Sequence, residues 1–421
     1  MSLPLPTPLV TRTIEVPDLP DLLAQLPGPD LTRALSWVRR GEGLVGFGAV
    51  ARIQTTGESR FADADAAWTE LAASAVVRDA VELPGTGLVC FGSFAFSRHS
   101  AAGGVLVVPE VVIGRRDGVT WVTTTSRGAL PPADGLAGWP IEDRRPTPSA
   151  TFRDGALSAS DWEKAVRSVI EVIRAGGVGK VVMARDVIAE LDGPPDARRV
   201  LGRLAGEYDS CWTFAVDGMI GATPELLARR ERGLISSRVL AGTIQRTGDD
   251  ARDLARAGAL ARSSKDLEEH EYAVDSLTES LREFASSTSA PETPYVLHLP
   301  NVMHLATDVT AVPDHQHAHM SSLAVAAALH PTAAVCGTPT LPAAAVIGEH
   351  ERMDRGRYAA PVGWMGADGD GEWGIALRSA EVVDATTLRL FAGCGVVAAS
   401  DPAAELLEAE AKLAPMRMAL G

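Results

Sequence analysis

Cysteine is scarce and scattered: Cys90, Cys211, Cys336 and Cys394 are the only ones in 421 residues. No Cys-x-x-Cys pair occurs, so a zinc site of that type is excluded, and the spacings make no disulfide framework. Buried free thiols are expected. Long apolar runs are missing as well; no stretch approaches the roughly 18–20 residues that span a bilayer. The opening Met-Ser-Leu-Pro-Leu-Pro-Thr-Pro lacks the basic-then-apolar order of a secretory signal, so a cytoplasmic protein is expected. Positive charge is in deficit, with 39 Lys and Arg against 54 Asp and Glu, a formal net charge of −15. Such a field disfavours nucleic acid and anionic membrane surfaces, and neither is an expected partner. An anionic substrate would have to be drawn in by local cations, helix ends or a metal ion. There is no G-x-G-x-x-G after an early strand and no G-x-x-x-x-G-K-[ST], which leaves nucleotide binding without support.

What remains is an ordinary soluble composition, 46% hydrophobic and 22% charged, enough for a large core. Residues 1–150 read as short strands punctuated by glycine, including Gly43–Gly48, Gly87–Phe96, Val105–Val108 and Val119–Thr124. Leu130–Pro148 holds five prolines and reads as a linker or surface loop. A helix begins near Ser158, with Ser160-Asp-Trp-Glu163 as its capping box and Gly176-Gly177 as its end. Lys180 opens the next strand. Asp266–Phe284 reads as an amphipathic helix with Tyr272, Val274, Leu277 and Leu281 inward. Val296–Thr310 reads as extended, Ser321–Leu329 as a helix, and Tyr358–Trp364, Glu372–Ser379 and Leu388–Phe391 as strands. Ala403–Met418 forms the last helix. Strands and helices mix without βαβ alternation, which favours α+β. The expected organisation is one domain over 1–421, with a variable part (1–150) and a motif-bearing part (151–421).

Several polar groups stand out against this background. Read alone, Lys180 is a solvated lysine at a strand start; beside other cations it could serve as a base. Glu225, in Gly221-Ala-Thr-Pro-Glu225, fits either a helix N-terminus or an acid. Glu269, in Lys265-Asp-Leu-Glu-Glu-His270, shares a helix face with Tyr272, Ala273 and Leu277, and an inward carboxylate needs a partner such as a metal ion. Glu405, Glu408 and Lys412 project on one side of the last helix, either as a salt bridge or as metal and carboxylate ligands. Ala392-Gly-Cys-Gly-Val-Val397 reads as a glycine turn that brings backbone N–H groups near an anion. Arg378 reads as mid-strand, facing solvent or forking a carboxylate. The alternating histidines of Asp314-His-Gln-His-Ala-His319 read as a polar loop.

Together and in order, these segments resemble the chorismate-utilising enzymes. The resemblance runs from about Ser158 to Leu413 and is carried by KVVMAR (180–185), GATPELL (221–227), SKDLEEH (264–270), LHPTAAVCGTP (329–339), DRGRYAAPVGW (354–364), GEWGIALRSAEV (371–382) and AGCGVVAASDPAAE (392–405). It implies an anthranilate synthase component I-like fold, two stacked antiparallel sheets with outer helices. It implies Mg²⁺ held by Glu269 and Glu408 with Glu405 close by, and chorismate as substrate. Arg378, Tyr358, Gly393 and Gly395 match positions that hold the enolpyruvyl carboxylate; Lys412 sits near the metal; Ala241, Gly242, Thr243 and His304 match the substrate wall. Lys180 takes the place of the base that activates water, and Glu225 that of the acid opposite. Ammonia-using members lack that lysine, so water is the implied nucleophile and no glutamine amidotransferase subunit is expected. Ala334 stands where pyruvate-eliminating members tend to carry threonine, which favours isochorismate synthase over salicylate synthase. Ala409 and Cys336 depart from the family's usual threonine and serine. Menaquinone, siderophore and salicylate supply are all compatible, and a monomer or weak dimer is implied.

Overall fold

The structure, a computed structural model, describes residues 7–131 and 142–421, without the side chains of Lys265 and Glu269. Most of the proline-rich stretch therefore lies outside the described residues. The chain builds two sheets, one of 13 strands and one of 10. The larger runs from Ala150–Asp154 through Lys180–Leu191, Thr387–Val396, Ser379–Val382, Met219–Thr223 and Trp212–Val216. It continues into N-terminal strands, Leu35–Arg39, Glu42–Phe47, Val111–Arg116, Val119–Arg127, Leu9–Val16 and Val76–Asp79. The smaller runs from Ala285–Ser289 through Val302–Pro313, Leu234–Gln245, Leu226–Glu231, Gly371–Ile375 and Pro361–Gly366 to Val89–Phe94, Gly104–Val108 and Ala51–Thr55. The ladders are antiparallel except for Leu9–Val16 with Val76–Asp79, which is parallel. Large apolar side chains such as Trp373, Phe91, Phe94, Phe214 and Trp37 fill the interior. A buried carboxylate, Glu372, crosses between the sheets and accepts from Trp37 Nε1 at 2.9 Å and Trp212 Nε1 at 3.1 Å.

Helices cover the outsides. Ala159–Ala175 and Ala197–Glu207 pack with the last helix, Pro402–Leu420, while Arg60–Ala73, Ser264–Arg282 and Ser322–Leu329 lie on the smaller sheet. The cap of Ala159–Ala175 is Ser158, whose side chain accepts from Asp161 N, and not Ser160. Both serines offer an oxygen, and the extended backbone at 158 (ψ 159°) decides between them. In Ser264–Arg282, Ala273, Leu277 and Leu281 are buried at four-residue spacing, but Tyr272 is 66% exposed. Its aromatic ring suggested burial; its helical phase places it on the solvent side. The extended reading of Val296–Thr310 resolves into a hairpin, Tyr295–His298 against Val302–Pro313. The histidine segment forms a turn in which Asp314 Oδ1 meets His317 Nδ1 at 2.9 Å. No described helix is long and apolar enough to cross a membrane.

Candidate active site

The site forms where the chain passes from one sheet to the other. Met219–Thr223 belongs to the larger sheet and Leu226–Glu231 to the smaller, and Glu225 lies in the crossing between them. Arg378 lies in the opposite crossing, between Gly371–Ile375 and Ser379–Val382. The two crossings are hydrogen-bonded together. Thr223 Oγ1 donates to Ile375 O at 2.6 Å, Ile375 N to Glu225 O at 3.2 Å, and Ala222 N to Arg378 O at 3.2 Å. Arg378 is thus not mid-strand. Its φ of 49° ends one strand and starts the next, a left-handed conformation costly outside glycine.

One cavity is lined by Lys180, Glu225, Ala241, Gly242, Thr243, His304, Ala334, Tyr358, Arg378, Gly393, Gly395, Glu408 and Lys412. Lys180 enters from the first residue of its strand, which pairs with Thr338 on one side and runs beside Thr387–Val396 on the other. Ala392–Val396 belongs to that neighbouring strand and is not a glycine turn; the last helix starts only at Pro402. The ladder to Ser379–Val382 ends at Phe391, so backbone groups beyond it face the cavity side without that partner strand. Tyr358 lies in the turn before Pro361–Gly366 and stacks on Phe391 with ring centroids 5.0 Å apart.

The cavity holds one buried carboxyl among several cations. Burial raises the Glu225 carboxyl to about 8, against the opposing pull of Lys180, Lys412 and Arg378. It therefore carries a proton near neutral pH. Burial, with Arg378 and Lys412 adding to it, holds His304 well below its ordinary value, so the imidazole is neutral. Arg378 Nη2 lies 3.0 Å from His304 Nε2, and an arginine only donates, so the imidazole proton sits on Nδ1 facing Thr243 Oγ1 at 3.1 Å. Arg378 Nη1 is buried without a protein partner. A guanidinium nitrogen so placed is suited to a carboxylate brought by a ligand. Lys412 Nζ donates to Gly393 O at 2.9 Å and meets Glu408 Oε1 at 2.6 Å.

Residues 9–421 match the family described as chorismate binding enzyme. This chain belongs to that family. It is 33% identical over 417 residues to the salicylate biosynthesis isochorismate synthase of Pseudomonas aeruginosa, covering 92% of this chain and 85% of that one. A crystal structure of a protein titled putative 2,3-dihydroxybenzoate-specific isochorismate synthase, DhbC from Bacillus anthracis, superposes with a TM-score of 0.77 at 30% identity, covering 95% of this chain and 98% of that one. The fold is also that of MenF, the menaquinone-specific isochorismate synthase from Escherichia coli, with a TM-score of 0.82 at 24% identity over 100% of this chain and 97% of that one.

Of the three carboxylates that the resemblance implies for Mg²⁺, two have described side chains. Glu408 lines the cavity, and Glu405 stands one turn earlier, beside Ser400 and Cys394 rather than in the lining. The Glu269 side chain lies outside the described residues, and among the described residues no three metal-ligating groups converge. Burial, with the Glu408 charge adding to it, lifts the Glu405 carboxyl above its ordinary value. Crowded carboxylate oxygens of this kind are what a hard divalent cation relieves.

Sequence reasoning missed a buried pair that holds the Lys180 strand. Arg355, in DRGRYAAPVGW, lines the cavity and donates from Nε to Glu351 Oε2 at 2.9 Å, from Nη1 to Val335 O at 2.8 Å and from Nη2 to Val182 O at 2.7 Å. Glu351 in turn accepts from Ala184 N at 2.7 Å. The Glu351–Arg355 spacing of four was the available signal, but only the tertiary fold shows that the pair is buried.

Proposed function

We propose that this chain is an isochorismate synthase that interconverts chorismate and isochorismate with Mg²⁺. The observation that carries the reading is Glu225, protonated near neutral pH and lining the same cavity as Lys180. Lys180 takes a proton from water as that water adds at C2 of the ring, and Glu225 gives its proton to the C4 hydroxyl, which leaves as water. One water enters and one departs, so mass is conserved. Arg378 binds a substrate carboxylate with its unpartnered Nη1, and neutral His304 keeps that guanidinium in place without adding a competing charge. Glu408, Glu405 and Glu269 are the residues that would hold Mg²⁺; bound there, the ion would supply positive charge for the ring carboxylate. Ala334 offers no hydroxyl to the cavity, which favours stopping at isochorismate over eliminating pyruvate.

The test is purified protein with chorismate, with and without Mg²⁺, and products identified by chromatography and mass. A Mg²⁺-dependent isomer of unchanged mass, in equilibrium with chorismate, is expected. Salicylate with pyruvate, absent from the enzyme-free control, would instead make this a salicylate synthase.

A further inference from the structure

The last helix, Pro402–Leu420, carries Glu405, Glu408 and Lys412, and also a proline inside it at 415. Proline has no N–H, so the carbonyl of Ala411, four residues back, has no helical donor. The ring also crowds that carbonyl and turns it outward. The orphaned oxygen accepts a hydrogen bond from Asn301 Nδ2 at 2.7 Å. Asn301 sits at the tip of the hairpin between Tyr295–His298 and Val302–Pro313, three residues before His304. Its own carbonyl accepts from Arg246 N at 3.0 Å, fixing the tip to the strand that bears Thr243. On that strand Gln245, opposite Val302, reaches the Leu407 carbonyl at 3.5 Å, one turn earlier on the same helix. Two amide side chains of the His304–Thr243 ladder thus address carbonyls at 407 and 411, on the stretch that displays Glu408 and Lys412. Asn301 Oδ1 has no hydrogen-bond partner. A flipped amide would set it against the Ala411 carbonyl, oxygen to oxygen, so the donor assignment stands.

We propose that Asn301 is a positioning residue for the reaction. By occupying the carbonyl that Pro415 frees, it ties the helix bearing Glu408 and Lys412 to the ladder bearing His304 and Thr243, so the two walls that grip one substrate hold a fixed separation. This rests on the chorismate reading above. The substrate spans both walls, and misplacement by a fraction of an ångström weakens binding before it alters the chemistry at Lys180 and Glu225.

The experiment compares Asn301→Asp, which keeps the volume but cannot donate, Asn301→Ala, and Asn301→Ala combined with Pro415→Ala. Both single variants should raise KM for chorismate about tenfold with a smaller loss in kcat. They should also speed amide exchange in residues 402–412. The double variant returns an N–H to the Ala411 carbonyl, so its melting temperature should recover while KM stays high. A KM for Asn301→Asp within about twofold of wild type overturns the proposal. So does a double variant that regains KM together with stability, because the role would then be local to the helix. A wild type inactive on chorismate would sink the functional reading alone. The tether is then judged by amide exchange, and unchanged exchange in Asn301→Asp overturns it.

Discussion

Glu225 shows how one side chain can set both the reaction and the pH response. Its folded pKa of about 8 exceeds the ordinary 4.5 because burial penalises the carboxylate. In the proposed reaction it gives up its proton, so turnover should fall as pH rises through about 8. The same shift acts on stability. The folded chain holds this proton where the unfolded chain has lost it, so the stabilisation is full below 4.5 and lost as pH climbs through about 8. Glu225→Gln keeps the shape and cannot ionise. It should lose turnover by about a hundredfold or more, yet melt higher than wild type above pH 8, read by kinetics and calorimetry across pH. Lys180→Ala should lose turnover to a similar degree with the fold intact. Wild-type-like activity in either variant removes that residue from its role. The positions of Lys180, Glu225, Arg378 and Lys412 in one cavity were legible because each stands in a distinctive local sequence. The neutral state of His304 was not, since it depends on burial and on Arg378 and Lys412, which come from other parts of the chain.

Single elements were legible where their signals are local. The helix Ala159–Ala175 has a serine cap, apolar residues at helical spacing and a glycine stop at Gly176 with φ 93°. The crossing at Arg378 was hidden because the strand reading of Glu372–Ser379 runs straight through it, and hydrophobicity does not record a change of sheet. The short bridge beside Lys180 offers a test. Gly337 has a φ of 139°, and a Cβ there would lie 2.2 Å from the Lys180 carbonyl oxygen and 2.7 Å from Ala343 Cβ. Gly337→Ala must therefore push away the strand start that presents Lys180. It should cost about 1–3 kcal/mol in urea denaturation and reduce kcat/KM with it. Gly348→Ala, in the following helix Thr340–His350, meets nothing within 4 Å and serves as the control. It should be neutral or slightly stabilising, because alanine loses less backbone freedom on folding. Equal effects at the two positions would refute the steric argument.

At the scale of the whole molecule, the cavity is lined from residues 180–412, but residues 151–421 do not close either sheet. Leu35–Arg39 pairs with Trp212–Val216, and Val89–Phe94 pairs with Pro361–Gly366. Removing residues 1–150 would turn two interior, buried strands into exposed edges, which are templates for aggregation. It would also strip Phe94, 0% exposed, from Trp373, and take Trp37 from the shared carboxylate of Glu372. A sequence can show where motifs lie, but ladders between distant strands leave no local mark, which is why the first 150 residues read only as a variable part. The expected result is that a 151–421 fragment, expressed alone, aggregates or shows no cooperative transition in calorimetry, and gives no turnover of chorismate. The full chain under the same conditions should melt cooperatively. A fragment that melts cooperatively and turns over substrate would mean that the shared sheets do not hold the catalytic part together, and that the site is built by residues 151–421 alone.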